Sequence, residues 1–132
     1  MQGILRLLFS SCLLVACTSA HAAEEPSPLS QGSHDVAIGE IRLHYVVEGH
    51  GPVVFVASPG WGSGMGYLRR GLAPLEAHLT LVHMDMRGSG ASTRPADRTH
   101  MSQSVMADDI EGLRSFLGLE RPLFSRSLAV LR

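Results

Sequence analysis

The sequence predicts an α/β fold in which a β-hairpin is followed by parallel strands with flanking helices. Three observations carry that prediction. Residues 53–57 (VVFVA) are apolar throughout and residues 79–84 (LTLVHM) nearly so, as in short strands buried on both faces. Each run ends in a glycine-bearing polar loop. Between and after them the apolar spacing changes to that of helices, and strands alternating with helices build a mostly parallel sheet covered on both sides.

Taken in order, the period-2 pattern starts near His34. Val36 and Ile38 alternate, Gly39-Glu40 is turn-prone, and Ile41, Leu43 and Tyr45 alternate again to about Val47, which reads as a hairpin. Glu48 to Pro52 is a turn into the first buried strand. Tyr67, Leu68, Leu72 and Leu75 give a rough helical spacing up to about His78, and Pro74 makes that helix short or kinked. The second buried strand follows, then a polar loop to about His100. Met106, Ile110, Leu113 and Leu117 lie on one face of a helix. Ser102 or Ser104 is its N-cap, Asp108, Asp109 and Glu111 load its early turns with negative charge, and Gly118 closes it. Pro122-Leu123-Phe124 opens one more strand.

The 132 residues allow one domain, and a formal net charge of -1 gives no surface for nucleic acid or for an acidic partner. At the N-terminus, Arg6 precedes an apolar run from Leu7 to Ala16. That run is shorter than the ~20 residues a membrane span needs but has the length of a signal-peptide core. Two cleavage readings stand. Ala20-His21-Ala22 suits an ordinary signal peptidase, giving a signal peptide of residues 1–22. Leu14-Val15-Ala16-Cys17 resembles a lipobox, giving residues 1–16 and a lipid anchor on Cys17, and it is the preferred of the two. Either way an exported protein is expected, periplasmic or membrane-tethered, or otherwise secreted. Residues 23–33, polar and proline-bearing, read as a flexible lead-in to a partial domain over 34–132. Both cysteines, Cys12 and Cys17, precede that domain, so no disulfide or thiolate metal site is expected in it.

Two loops could carry chemistry. Ser58 to Gly66 (SPGWGSGMG) has glycines at 60, 62, 64 and 66, so its backbone can turn sharply and present N–H groups to a phosphate or an oxyanion. The dinucleotide fingerprint fails there, because its third glycine falls on Met65 or Tyr67, and a P-loop fails because the chain has no Lys. No cofactor is expected. Asp85 to Ser92 (DMRGSGAS) reads as a structural turn at a pocket rim, with Asp85 and Arg87 able to pair with each other and to hydrogen-bond the loop.

Together the two loops resemble those of the α/β-hydrolase fold superfamily, and more narrowly its proline iminopeptidase-like branch, in its N-terminal half. There one strand ends in an HGGPG-type or HG-x loop and the next in D-x-R-G-x-G-x-S, matched by Asp85, Arg87, Gly88, Gly90 and Ser92. The run Arg94 to Asp97 and the helix up to Pro122 are similar as well. The resemblance implies a serine hydrolase acting on an amide or ester of a small molecule or peptide. The N–H of Gly60 or Trp61 would form the oxyanion hole, and Trp61 would line the pocket or else cover the sheet edge. Ser58 stands where the family usually has His, and Pro59 falls on a glycine position and has no N–H to donate.

The family's nucleophile elbow, G-x-S-x-G, would fall on Ser125-Arg126-Ser127-Leu128-Ala129. Ser127 is thus a degenerate nucleophile candidate, with three strand residues before Ser125 and Ala129 replacing a glycine. The family order is Ser, then acid, then His, and the five residues after Ser127 hold neither. His83 is expected at the core or rim, and His78 and His100 at the surface. The expectation is a truncated or frameshifted product without turnover, completed if at all by a separately made C-terminal half. The alternative is a small exported binding or scaffold module that uses the glycine-rich loop as a ligand cradle.

Overall fold

The computed structural model describes residues 27–59 and 62–120, together with the backbone of 123–126. Among these described residues nine elements follow in order: β1 (Gly32–Ile38), β2 (Ile41–Gly49), β3 (Val53–Ala57), α1 (Gly66–Leu72), a 3-10 turn (Ala73–Ala77), β4 (Thr80–Met84), a second 3-10 turn (Arg98–Met101), α2 (Gln103–Phe116) and β5 (Leu123–Arg126). The five strands form one mixed sheet in the order β1-β2-β4-β3-β5. The hairpin closes through a two-residue turn with Ile38 opposite Ile41, and β2 runs antiparallel to β4. From there the sheet is parallel, with β3 between β4 and β5 and Ala57 in register with both Met84 and Arg126.

The predicted elements are present, with three differences of physical origin. β1 begins at Gly32, inside the segment expected as a lead-in, because the chain before it is tied to the sheet. The Tyr45 hydroxyl donates to Pro28 O at 2.9 Å, Gln31 Nε2 donates to Gly49 O at 2.9 Å, and Leu29 packs against the core. The helix expected up to about His78 is α-helical for seven residues only. It then tightens into a 3-10 turn with Pro74 in its first positions, where a missing N–H costs nothing. In β5, Ser125 and Arg126 are strand residues, so the strand reaches one residue short of Ser127.

The two faces of the sheet are covered unequally. Leu113 of α2 and Leu117 at its C-cap join Val36, Leu43, Tyr45, Val47, Phe55, Val82 and Met84 in the larger core, with Met106 and Ile110 packed at its margin. On the opposite face, Leu68 and Leu72 of α1 pack against Val54, Val56 and Leu81. Ser102 caps α2 by accepting from Val105 N at 3.4 Å. Midway along α2, Gly112 lets the helix approach β1 closely, since a Cβ there would stand 2.5 Å from Ile38 Cγ2.

Asp109 does not serve as a solvated charge in the early turns of α2. It is 2 % exposed and receives both arms of the Arg87 guanidinium, Nε to Oδ2 at 2.5 Å and Nη2 to Oδ1 at 2.6 Å. The expected pairing of Asp85 with Arg87 is therefore corrected, because each has a different partner. Arg87 also donates through Nη1 to His100 O at 2.9 Å, so one side chain joins the loop after β4 to α2 and to the turn before it. The carboxylate raises the Arg87 pKa further, mainly through these hydrogen bonds. Removing one partner strands the other charge where water cannot reach it. Asp109→Ala is expected to cost about 3–5 kcal/mol, read as a lower midpoint in urea denaturation, whereas the exposed Asp108→Ala should lie within about 0.5 kcal/mol of the parent.

Candidate functional site

The parallel strands β3 and β4 end level with one another, and the two motif loops leave from that edge. In open α/β sheets this is where ligands bind, outside the carboxyl ends of the strands. The loops are laced together by three side chains. Ser58, 3 % exposed, accepts through Oγ from Met86 N at 3.0 Å, while its own N–H donates to Met84 O at 2.9 Å. Ser89, 1 % exposed, accepts from Gly62 N at 3.2 Å.

Asp85 makes the central connection. Its Oδ1 accepts from Met65 N at 2.8 Å, at the far end of the first loop, and its Oδ2 accepts from Ala91 N at 2.9 Å in the second. Its backbone carbonyl accepts the Ser92 hydroxyl at 2.6 Å, and the Ser92 oxygen in turn accepts His44 N at 2.9 Å. The carboxylate thus binds two orphan backbone donors and joins the two loops, while the Asp85 backbone and the Ser92 hydroxyl tie the second loop to β2. It also dictates the glycine spacing. Gly90 has φ of 51°, and a Cβ on it would lie 2.0 Å from Asp85 Oδ2. Arg94 steadies the outer turn by donating from Nη2 to Gly88 O at 3.0 Å.

The structure places the expected site residues as follows. Gly60, Trp61 and Ser127 lie outside the described residues. Their neighbours Ser58, Gly62 and Met65 are held as above, and β5 ends at Arg126 in register with Ala57. The residue that sequence reasoning underrated is Ser58. It stands in a position expected for His, and its hydroxyl bridges the two loop starts. Among the described residues no cluster of three or more His, Cys, Asp or Glu could hold a metal ion, and no helix is long and apolar enough to cross a membrane.

His83 sits on the α1 side of β4 and is fully buried, with neither ring nitrogen hydrogen-bonded. Its Nε2 lies 3.6 Å from Glu48 Oε2. Glu48 itself is engaged by Arg69 of α1, with Nε at 3.0 Å and Nη2 on the other oxygen. Those hydrogen bonds hold the Glu48 carboxyl below its ordinary range, and burial pushes the His83 imidazole below its own. His78 and His100 lie at the surface as expected, His100 Nδ1 pairing with Glu40 at 2.6 Å.

A mixed β1-β2-β4-β3-β5 sheet with two interlocked glycine loops at the ends of its parallel strands defines a partial α/β-hydrolase fold, and known hydrolases share it. A soluble epoxide hydrolase from Corynebacterium sp. is 33% identical over 89 residues, 67% of this chain and 30% of the relative. A proline iminopeptidase-related protein from Thermus thermophilus superposes with a TM-score of 0.66 at 28% identity, covering 73% of this chain and 35% of its own. An α/β hydrolase from Nostoc sp. superposes at 0.61 with 29% identity, over 75% of this chain and 35% of its own. The chain spans about a third of the length of these relatives. No protein-family model matches it.

Two outcomes follow from this geometry. Gly90→Ala forces a Cβ into the Asp85 carboxylate at a backbone conformation alanine disfavours, and is expected to cost more than about 2 kcal/mol by thermal or urea unfolding. For His83, the folded pKa lies below the ordinary 6.5 of an unfolded chain, so the unfolded state takes up the proton first. The stability contribution is then complete above that value and is lost as pH falls through it. Urea midpoints should decline as the pH falls below the ordinary 6.5, and His83→Leu should flatten this decline, leaving the Glu48 contribution to fade below its ordinary 4.5.

Proposed function

We propose that this chain is the loop-bearing part of an exported serine hydrolase that cleaves an ester or amide of a small molecule or peptide. The observation that carries the reading is the Asp85 clamp. A carboxylate binding Met65 N and Ala91 N ties the far end of the first loop to the second loop at the carboxyl edge of the sheet. Donors fixed before the reaction are what an oxyanion hole requires, and each is typically worth about 3 kcal/mol of barrier. Gly60 or Trp61 is the proposed donor and Ser127, one residue past β5, the proposed nucleophile position. The similarity to a proline iminopeptidase-related protein favours an amide or ester, and the epoxide hydrolase relative adds an epoxide as a competing substrate class.

Within these residues Ser127 has no acid or imidazole after it, and a serine hydroxyl without a base is a weak nucleophile. Turnover through Ser127 thus requires a C-terminal portion carrying both groups, and the chain by itself should not label there. Export rests on the apolar run Leu7 to Ala16 and the cleavage patterns after it. The mass of the mature N-terminus decides between a lipid-modified Cys17 and a start at Ala23.

The loops can be tested directly in a chimera. Residues 32–97 replace the corresponding segment of the Thermus relative, and ester, amide and epoxide hydrolysis are measured side by side. Activity is expected to persist, and Asp85→Ala in the chimera should lower kcat at least tenfold, the loss of one oxyanion donor being worth about a hundredfold or more. A chimera that folds but is inactive on all three substrate classes rejects the reading.

A further inference from the structure

We propose that Ser33, His44 and Asp35, on the β1–β2 hairpin, form a second acyl-transfer site, distinct from the loops above, that accepts small activated esters. The Ser33 hydroxyl lies 3.3 Å from His44 Nε2, and His44 Nδ1 lies 3.1 Å from Asp35 Oδ1. A carboxylate oxygen can only accept, so Nδ1 carries the ring proton. Nε2 then presents its lone pair, and the Ser33 hydroxyl donates to it. This is the order nucleophile, base, orienter that activates a serine.

The strands fix this geometry. Asp35 is opposite His44 in the ladder, and Ser33 is two residues along the same face of β1. His44 N donates to Ser92 Oγ at 2.9 Å and His44 O accepts from Asp85 N at 3.0 Å, so both backbone groups of His44 face away from β1. The Asp35–His44 pair is therefore the non-hydrogen-bonded kind, in which facing side chains come closest. By alternation Ser33 is in the same kind of pair with Val46. Its N–H points out from β1, the edge strand of the sheet, where it can donate to the oxygen of a carbonyl under attack. The orienting carboxylate is itself held, since Asp35 Oδ2 pairs with Arg42 Nη1 at 2.9 Å and Arg42 Nη2 donates to Ala91 O at 3.2 Å. Ser33 is exposed while the His44 side chain is only 19% so, which leaves the hydroxyl open to a substrate and the base largely shielded.

The step balances with water as the only co-reactant. Ser33 Oγ bonds to the ester carbonyl carbon as its proton passes to His44 Nε2, and Asp35 stabilises the imidazolium. The adduct collapses, the bond to the alcohol oxygen breaks, and that oxygen leaves with the proton from Nε2. Water then adds to the acyl-serine by the same route, releasing the acid and restoring the Ser33 hydroxyl. With the serine on an open strand, selection rests on the carbonyl rather than on an enclosing pocket, hence small esters with good leaving groups.

The full chain is incubated with p-nitrophenyl acetate, and separately with a fluorophosphonate whose adduct is mapped by peptide mass spectrometry. The adduct is expected on Ser33. Ser33→Ala and His44→Gln should each slow ester release about a hundredfold, the usual contribution of a nucleophile–base pair, and Asp35→Asn at least about tenfold. Ser115→Ala, on the exposed side of α2, should match the parent. As a check independent of ester chemistry, the thiol of Ser33→Cys should alkylate with iodoacetamide faster in the presence of His44 than in the double variant with His44→Gln. An adduct mapping elsewhere, or Ser33→Ala reacting as fast as the parent, overturns the proposal. Labelling at Ser127 would also refute the inactivity proposed for that residue, so the two readings fail separately.

Discussion

A carboxylate buried at the end of a strand has few ways to be accommodated, and Asp85 uses one that organises its surroundings. With 4 % of its surface exposed, it meets two backbone N–H groups from two different loops. Neither loop has a regular element to supply those acceptors, and an unpaired buried N–H costs about 1–3 kcal/mol. The loop glycines follow from this demand. Gly90 must lack a side chain because the carboxylate occupies that volume, and a Cβ on Gly64 would stand 3.2 Å from Gly90 Cα. The D-x-R-G-x-G spacing is thus the trace of a packing requirement before it is a sign of chemistry. Arg87 within the same motif extends the constraint to α2 through Asp109.

Periodicity made the elements legible. The alternation through Ile41, Leu43 and Tyr45 and the helical spacing of Met106, Ile110, Leu113 and Leu117 are local signals, and each ends up facing the larger core. The placement of β4 between β2 and β3 has no local signal, nor does a pair such as Arg87–Asp109, separated by 22 positions. Asp109 also lay beside Asp108 and Glu111, where a helix N-terminal charge cluster accounts for all three without any burial. Ser58 was readable only as a departure from a family pattern, since the partner that explains it, Met86 N, lies across the sheet. Of the candidate site, the loops and their glycines were readable, but not the carboxylate clamp that joins them.

The sheet has one dry face and one polar face. Under α2 the contacts are almost wholly apolar. The other face carries Asp35, Arg42, His44, Glu48 and His83, and α1, seven residues long with none buried, covers only part of it. Where α1 does reach, it contributes Arg69, which hydrogen-bonds Glu48 and leaves both His83 ring nitrogens without a hydrogen bond. A buried imidazole in that position is held neutral by desolvation, and the nearby carboxylate offsets this only in part. The polar face therefore stores a dependence on acidity that the dry face lacks.

Charged residues on an edge strand have a ready structural explanation, because they discourage pairing with a second chain. That explanation covers the Arg42–Asp35 ion pair, which lies on the exposed hairpin and needs no further partner. It does not account for the rest of the arrangement. Edge protection requires charge but no particular ring orientation, whereas His44 is turned with one nitrogen on Asp35 and the other on a serine two residues from it. Nor does it require the His44 backbone to be pinned from behind by Ser92 and Asp85. The same Asp85 that clamps the glycine loops thus also holds the backbone of His44, through its own N–H. The two candidate sites share one structural anchor while their reacting groups remain separate.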